Sequence, residues 1–159
     1  MKKINLLELL LFIIVSELIG SSGSIFTFPA INDWYQFVNK SPLTPPNYIF
    51  APVWTILFLM MGISSYLIFR ERKNDKSVNS ALILFAVQFI LNILWSILFF
   101  GLKAPLFAFI EIIFLWLFIL MTILSFIKIN KLAGYLLVPY IVWVSFASYL
   151  NLMVYLLNK

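Results

Sequence analysis

Five long runs of apolar residues dominate the chain, each separated from the next by a short polar or proline-rich stretch. The runs cover residues 6–27, 47–69, 78–102, 104–127 and 132–157. Each is close to the roughly 20 apolar residues that an α-helix needs to cross a bilayer. The apolar positions are continuous rather than alternating, which favours helices over the strands of a membrane barrel. We therefore predict an all-α integral membrane protein, built as a five-transmembrane-helix bundle.

The connections between these runs are too short to form a domain outside the membrane. The first connector, residues 28–46, is rich in proline, whereas residues 70–76 and 128–131 are polar and Lys103 marks a minimal turn. We therefore predict a single domain, residues 1–159.

The first run has a second interpretation. Lys2 and Lys3, the apolar stretch and the small residues at 22–24 together resemble a cleavable signal peptide. Glu8 and Glu17 interrupt the apolar stretch, and for that reason we favour a transmembrane helix.

The composition agrees with a membrane location and removes several kinds of chemistry. Apolar residues make up 64% of the chain and charged residues 11%, whereas soluble domains average about 45–50% and about 25%. The absence of histidine and cysteine removes the usual general base, disulfides and the commonest metal ligands. No phosphate-binding loop, zinc-site spacing or serine elbow occurs. We predict no catalytic residue, no metal site and no cofactor, and leave an enzymatic activity open.

The net charge of +5 indicates orientation rather than nucleic-acid binding. Five crossings place one set of basic residues on one side of the membrane: Lys2, Lys3, Arg70, Arg72, Lys73, Lys76, Lys128 and Lys131. Only Lys40, Lys103 and Lys159 fall on the other side. The positive-inside rule then predicts a cytoplasmic amino terminus, with the first connector and the carboxyl terminus outside. This pattern favours a bacterial cytoplasmic membrane.

Polar residues on the third helix share one face. Gln88, Asn92 and Ser96 are spaced i, i+4, i+8, and Trp95 lies beside that face. Amides are costly in hydrocarbon, so the face is expected to point inward. Hydrogen bonding between helices and contact with a ligand both remain open.

The fifth helix carries a stripe of aromatic and small residues. Tyr140, Trp143, Ala147 and Asn151 follow helical spacing, and Pro139 is expected to kink the helix. The gap at Ala147 between aromatic neighbours suits a flat aromatic guest, and it equally suits plain helix packing.

Two carboxylates fall inside apolar runs. Glu17 lies near the middle of the membrane and Glu111 lies several residues inside the fourth helix. Neither has an obvious cationic partner in sequence, so a proton or substrate pathway remains open.

Two weaker signals have simpler interpretations. The small residues at 20–24 are expected to let helices approach closely, either within the chain or in a dimer. Residues 152–159 fit the loose sterol-contact pattern, which anchoring at the membrane interface explains better.

Several short motifs follow one another in a fixed order along nearly the whole chain. They are GSIFT at 23–27, WY at 34–35, PP at 45–46, PVWT at 52–55, MG at 61–62, QFILNILWS at 88–96, FF at 99–100 and PYIVWVSFASYLN at 139–151. In order and spacing the chain resembles the TspO/MBR family, also called translocator protein, peripheral-type benzodiazepine receptor or tryptophan-rich sensory protein.

The resemblance implies a five-helix protein, often dimeric, with a ligand pocket beneath the first connector. Family members bind porphyrins such as protoporphyrin IX, cholesterol in animals, and synthetic benzodiazepine or isoquinoline ligands. We therefore expect a membrane receptor or sensor for a tetrapyrrole, with a sterol-like lipid as a further partner. The alternatives are a transporter of porphyrins, sterols or other amphiphiles, and light-dependent porphyrin degradation, with which some bacterial members are associated.

By position, the resemblance also assigns the pocket residues. They are Tyr35, Trp54, Phe58, Gln88, Asn92, Trp95, Trp143, Phe146 and Ala147. It makes the proline-rich connector a lid, stiffened before binding, with Trp34 and Tyr35 on a short helix over the pocket mouth.

The connector also departs from the family pattern. Leu43 and Tyr48 stand where the family carries tryptophan. If a lid tryptophan supports photochemistry, that activity is in question here, and simple binding is less affected.

Overall fold

The computed structural model describes residues 4–72 and 76–159, which form helices and connecting turns without a strand. The helices are α1 (Leu6–Ser21), α2 (Ser24–Asn32), α3 (Asn47–Phe69), α4 (Val78–Ser96), a π-helical turn (Ile97–Gly101), α5 (Pro105–Ile129), α6 (Lys131–Leu136) and α7 (Val138–Leu157). In the described residues they combine into five stretches long and apolar enough to cross a membrane: Leu6–Asn32, Asn47–Phe69, Val78–Gly101, Pro105–Ile129 and Lys131–Leu157. The predicted all-α bundle of five membrane-spanning helices is confirmed.

The first span is divided and longer than the sequence pattern indicates. It breaks between α1 and α2 at residues 22–23, and α2 continues past residue 27 to Asn32. Pro29 lies inside α2, where its missing N–H removes a single helical hydrogen bond without ending the helix. The connector that is not helical is therefore residues 33–46.

The fifth span is also divided, and its proline explains where. Asn130 adopts an extended backbone and its side chain accepts a hydrogen bond from the backbone N–H of Ala133 at 3.1 Å, which caps α6. Pro139 stands in the first turn of α7, where a proline costs no helical hydrogen bond. The chain therefore breaks at Leu137 rather than kinking within a continuous helix.

Glycine at position 62 lets the first two spans touch backbone to backbone. A Cβ atom added to Gly62 would lie 2.7 Å from Cα of Ile13, a separation that side chains do not tolerate. At the start of α1, the backbone N–H of Asn5 donates to the Tyr66 hydroxyl at 2.8 Å. The first half of α1 is thus fixed against α3.

Beyond Gly20, which still touches α3, the first span turns toward α4. A Cβ atom on Gly20 would meet the Phe58 ring at 2.5 Å, and one on Gly23 would meet the Ser96 hydroxyl at 2.8 Å. Gly20 and Gly23 therefore serve close packing inside the chain. This change of neighbour opens a space between α2 and the first half of α3.

Three of the charges that predict the orientation, Lys2, Lys3 and Lys73, lie outside the described residues. The orientation in the membrane stays a prediction. So does a homodimer.

Candidate functional site

A cavity of about 340 Å³ lies among the first, second, third and fifth spans. Tyr35 is the residue that the connector contributes to the lining, which is largely aromatic and aliphatic. The volume falls within the range of small-molecule sites, which are typically about 300–1,000 Å³ with a few placed polar groups.

One wall of the cavity is a pair of stacked rings on α3. Trp54 and Phe58 are one helical turn apart, and their ring centroids lie 5.4 Å apart at an interplanar angle of 25°. Trp54 also meets the edge of Tyr140 on α7 at 6.2 Å. Gly20 gives the Phe58 ring its space, so the wall depends on the missing side chain opposite it.

A second stacked pair comes from the end of the third span. Trp95 and Phe99 lie 5.1 Å apart at 18°. The indole N–H of Trp95 donates to the Asn151 side-chain oxygen at 2.9 Å, and the Asn151 amide donates to the Pro105 carbonyl at 2.7 Å. This chain of hydrogen bonds across α4, α7 and α5 fixes the Trp95 ring against the cavity.

Asn92 gives the cavity a polar point, whereas Gln88 does not reach it. The Asn92 amide donates to the buried Tyr140 hydroxyl at 3.1 Å, and Asn92 lines the cavity. Gln88 lies one turn earlier on the same face, is only 1% exposed, and is not among the lining residues. Neither polar atom of its side chain has a partner within the described residues.

On α7, Trp143 and Ala147 line the cavity and Phe146 does not. Phe146 is rotated by about 100° around the helix from Ala147, and it packs instead against Trp143 and Tyr149. Trp143 meets the edge of Phe50 at 5.9 Å. Its buried indole N–H has no acceptor in the described parts of the chain.

Of the nine pocket residues expected from the resemblance, the structure brings seven to the cavity. They are Tyr35, Trp54, Phe58, Asn92, Trp95, Trp143 and Ala147. Gln88 and Phe146 lie outside the lining for the reasons given above. Whether any of the nine binds a ligand stays a prediction.

Trp34 and Tyr35 lie in a series of turns, so the expected short helix is wrong. The turns still bury Tyr35, which is 6% exposed and packs against the edges of Phe99 and Phe100. Burial raises the pKa of the Tyr35 phenol, so the ring faces the cavity uncharged. The Lys40 ammonium donates to the Tyr35 carbonyl at 2.7 Å and lies 4.2 Å from the centre of its ring.

The connector is fastened to the bundle at its start and near its middle. Near its start, Lys103 pairs with Asp33 at 2.7 Å. Farther along, the backbone N–H of Asn39 donates to the Asn158 side-chain oxygen, and the Asn158 amide donates back to the Asn39 carbonyl, both at 2.9 Å. We call this second pair of hydrogen bonds the Asn39–Asn158 clasp.

Residues of the first span line the cavity without having been expected there. They include Glu17, Ser21, Ser24 and Thr27. Their spacing by three and four places them on one helix face. This spacing is the feature of the sequence that indicates a shared polar face. Glu111, the other intramembrane carboxylate, is 7% exposed, lies off the cavity and has no hydrogen-bond partner in residues 4–72 and 76–159.

Leu43 in the connector and Tyr48 in the first turn of α3, the two departures from the family pattern, are 64% and 76% exposed. Neither lines the cavity. The tryptophans that they replace therefore fall at positions that face away from the cavity in this chain.

The described residues contain no group of three or more carboxylate, histidine or cysteine side chains able to hold a metal ion. The chemistry open to the cavity is stacking on aromatic rings, hydrogen bonding to a few polar groups, and contact with one carboxylate.

The comparisons with known proteins agree with this architecture. The model of the TspO/MBR family matches residues 12–156. A tryptophan-rich protein TspO of Chlorobaculum tepidum is 42% identical over 97% of this chain and 98% of its own length. One from Archaeoglobus fulgidus is also 42% identical, over 97% and 99%. The human translocator protein is 32% identical over 81% of this chain and 77% of its own.

Proposed function

This chain belongs to the TspO/MBR family, and on that premise we propose that it is a membrane receptor that binds a tetrapyrrole such as protoporphyrin IX in the cavity. The relatives carry names that include tryptophan-rich sensory protein and translocator protein. Synthetic benzodiazepine and isoquinoline ligands would occupy the same space.

Aromatic walls support a flat, conjugated ligand. Two stacked pairs, Trp54 with Phe58 and Trp95 with Phe99, present ring surfaces from different helices. Offset stacking on such rings contributes about 0.5–1.5 kcal/mol per pair beyond the area buried. The absence of histidine and cysteine from the chain favours an iron-free porphyrin, held by stacking, over an axially ligated haem.

The observation that carries the proposal is the indole N–H of Trp143. It is buried, lies on a residue of the cavity wall, and has no acceptor within the described residues. Buried donors in folded proteins nearly always have a partner. The N–H itself is closed off from the open cavity, so a ligand carboxylate supplies that acceptor only when the Trp143 indole turns toward it.

Replacement of Trp143 tests this proposal. We expect Trp143→Leu to weaken binding of protoporphyrin IX about tenfold, through loss of a stacking surface and a hydrogen bond. Trp143→Phe keeps a six-membered aromatic ring and removes the five-membered ring with its N–H, so we expect a smaller loss than in Trp143→Leu. Binding is followed in the dark by the absorption shift of the porphyrin, with the purified protein in detergent.

The matched control is Trp116→Leu. Trp116 donates to the Ser145 hydroxyl at 2.8 Å and lies off the cavity, so its replacement removes an indole of the same bundle without touching the site. Equal affinities in the Trp116 and Trp143 variants would contradict the proposal.

Light-dependent degradation is the second candidate, because Trp54, Trp95 and Trp143 all line the cavity and supply oxidisable indoles. Illumination of the complex in air must then yield a new chromophore faster than free porphyrin bleaches. Transport is tested separately in sealed proteoliposomes, where bound porphyrin that never reaches the lumen favours the receptor. Sterol binding stays a prediction.

A further inference from the structure

Glu17 carries a charge into the cavity from the first span. It lies one turn before Ser21 on α1, on the same face as Gly20, and all three residues line the cavity. Gly20 touches the Phe58 ring, and Phe58 stacks on Trp54. The backbone of Glu17 therefore lies about one helical turn from the residue that touches the aromatic wall of α3.

No hydrogen bond or ion pair involves the Glu17 carboxylate within the described parts of the chain. It is also the one lining residue among them that belongs to the Asp, Glu, Lys and Arg group. Carboxylates inside membranes are rare and usually have a partner. The cavity that Glu17 lines is one place from which a ligand can supply that partner.

The hydroxyl groups of the cavity lining, of which Ser21 lies one turn from Glu17, add acceptors rather than donors. Ser21 donates its hydroxyl proton to the Leu18 carbonyl at 3.3 Å, and Thr27 donates to the Gly23 carbonyl at 3.2 Å. Across the cavity on α3, Thr55 donates to the Ala51 carbonyl at 3.0 Å. Each hydroxyl has one proton, so the oxygens left for a ligand accept hydrogen bonds and do not donate them.

We propose that Glu17, with the Ser21 oxygen one helical turn away, forms an acceptor subsite that takes the protonated amine of an aromatic ligand. A charge-assisted hydrogen bond to the carboxylate and the neighbouring ring faces, which attract cations, act together there. The inference rests on the proposed function only in that it takes the cavity as the ligand site.

This subsite also sets the orientation of an anionic ligand. The propionates of a porphyrin are repelled by Glu17, so they point away from it. At the connector the Lys40 ammonium lies over the Tyr35 ring, but Lys40 does not line the cavity.

Two porphyrins of matched size test the subsite. In one, both propionates of protoporphyrin IX are converted to 2-aminoethyl amides, which are cationic; in the other they are converted to neutral propyl amides. Affinities are measured in nanodiscs of uncharged lipid, in the dark. We expect the wild-type protein to prefer the cationic porphyrin about tenfold, and Glu17→Gln to bind the two alike.

Glu8→Gln is the control, because Glu8 lies on the same helix outside the cavity lining. It should keep the wild-type preference. If both porphyrins bind and Glu17→Gln keeps the wild-type ratio, the acceptor subsite is wrong and the tetrapyrrole site stands. If neither porphyrin binds saturably while protoporphyrin IX itself does, the subsite is wrong and the tetrapyrrole site stands; if protoporphyrin IX does not bind saturably either, the subsite and the proposed function are both overturned.

Discussion

The Asn39–Asn158 clasp makes a prediction about the connector that can be worked out from its hydrogen bonds. Asn158→Ala removes both bonds to Asn39, each of 2.9 Å. The weaker contact from the Asn39 amide to the Leu157 carbonyl, at 3.4 Å, remains. The connector stays attached elsewhere through the Ser41 and Tyr149 hydroxyls, which lie 3.0 Å apart.

The size of the effect follows from the exposure of the clasp. A hydrogen bond contributes about 0.5–1.5 kcal/mol net, and an exposed one lies at the lower end. Two such bonds together stabilise the closed connector by about 1 kcal/mol, which corresponds to roughly a fivefold change in its opening equilibrium.

Amide hydrogen exchange measures this change without any ligand. The Asn39 N–H is itself the donor to Asn158, so its exchange in Asn158→Ala should quicken about fivefold. If the connector acts as a lid, release of bound porphyrin should quicken by a similar factor. Asn79→Ala, which changes an exposed asparagine of α4, is the control. Unchanged exchange at Asn39 in Asn158→Ala would refute the reasoning.

Two further predictions concern packing and orientation. Gly62→Ala places a Cβ atom 2.7 Å from Cα of Ile13, so we expect a loss of about 1–3 kcal/mol in a detergent thermal-melting assay. Gly23→Ala should cost less, because there the Cβ meets a movable serine hydroxyl; equal losses would contradict the contact. In intact cells, an impermeant thiol reagent should label Lys103→Cys and spare Lys128→Cys, and the reverse pattern would invert the predicted orientation.

The sequence predicts the spans well, because twenty apolar residues in a row have few alternatives in a membrane. It predicts their ends less well. The extension of α2 to Asn32 and the break at Leu137 depend on where Pro29 and Pro139 fall within a helical turn, and an apolar run by itself does not contain that information.

In the candidate site, too, the sequence predicts some features and leaves others open. Trp95, Trp143 and Asn92 reach the cavity as expected, whereas Gln88, on the same face as Asn92, lies outside the lining. Helical spacing indicates which residues share a face, but the positions of neighbouring helices decide how much of that face borders open space. Glu17 was not predicted as a cavity residue, because the cavity beside it depends on how the first span packs against α3 and α4.

A dark titration with protoporphyrin IX after filling the cavity tests the central claim most directly. Ala147→Phe adds a ring to a residue of the cavity wall, whereas Ala86→Phe adds the same ring to an exposed position on α4. The cavity account predicts saturable binding near one porphyrin per chain in the wild type and in Ala86→Phe, and its loss in Ala147→Phe. Equal saturable binding in both variants, or non-saturable uptake in all three proteins, would contradict it.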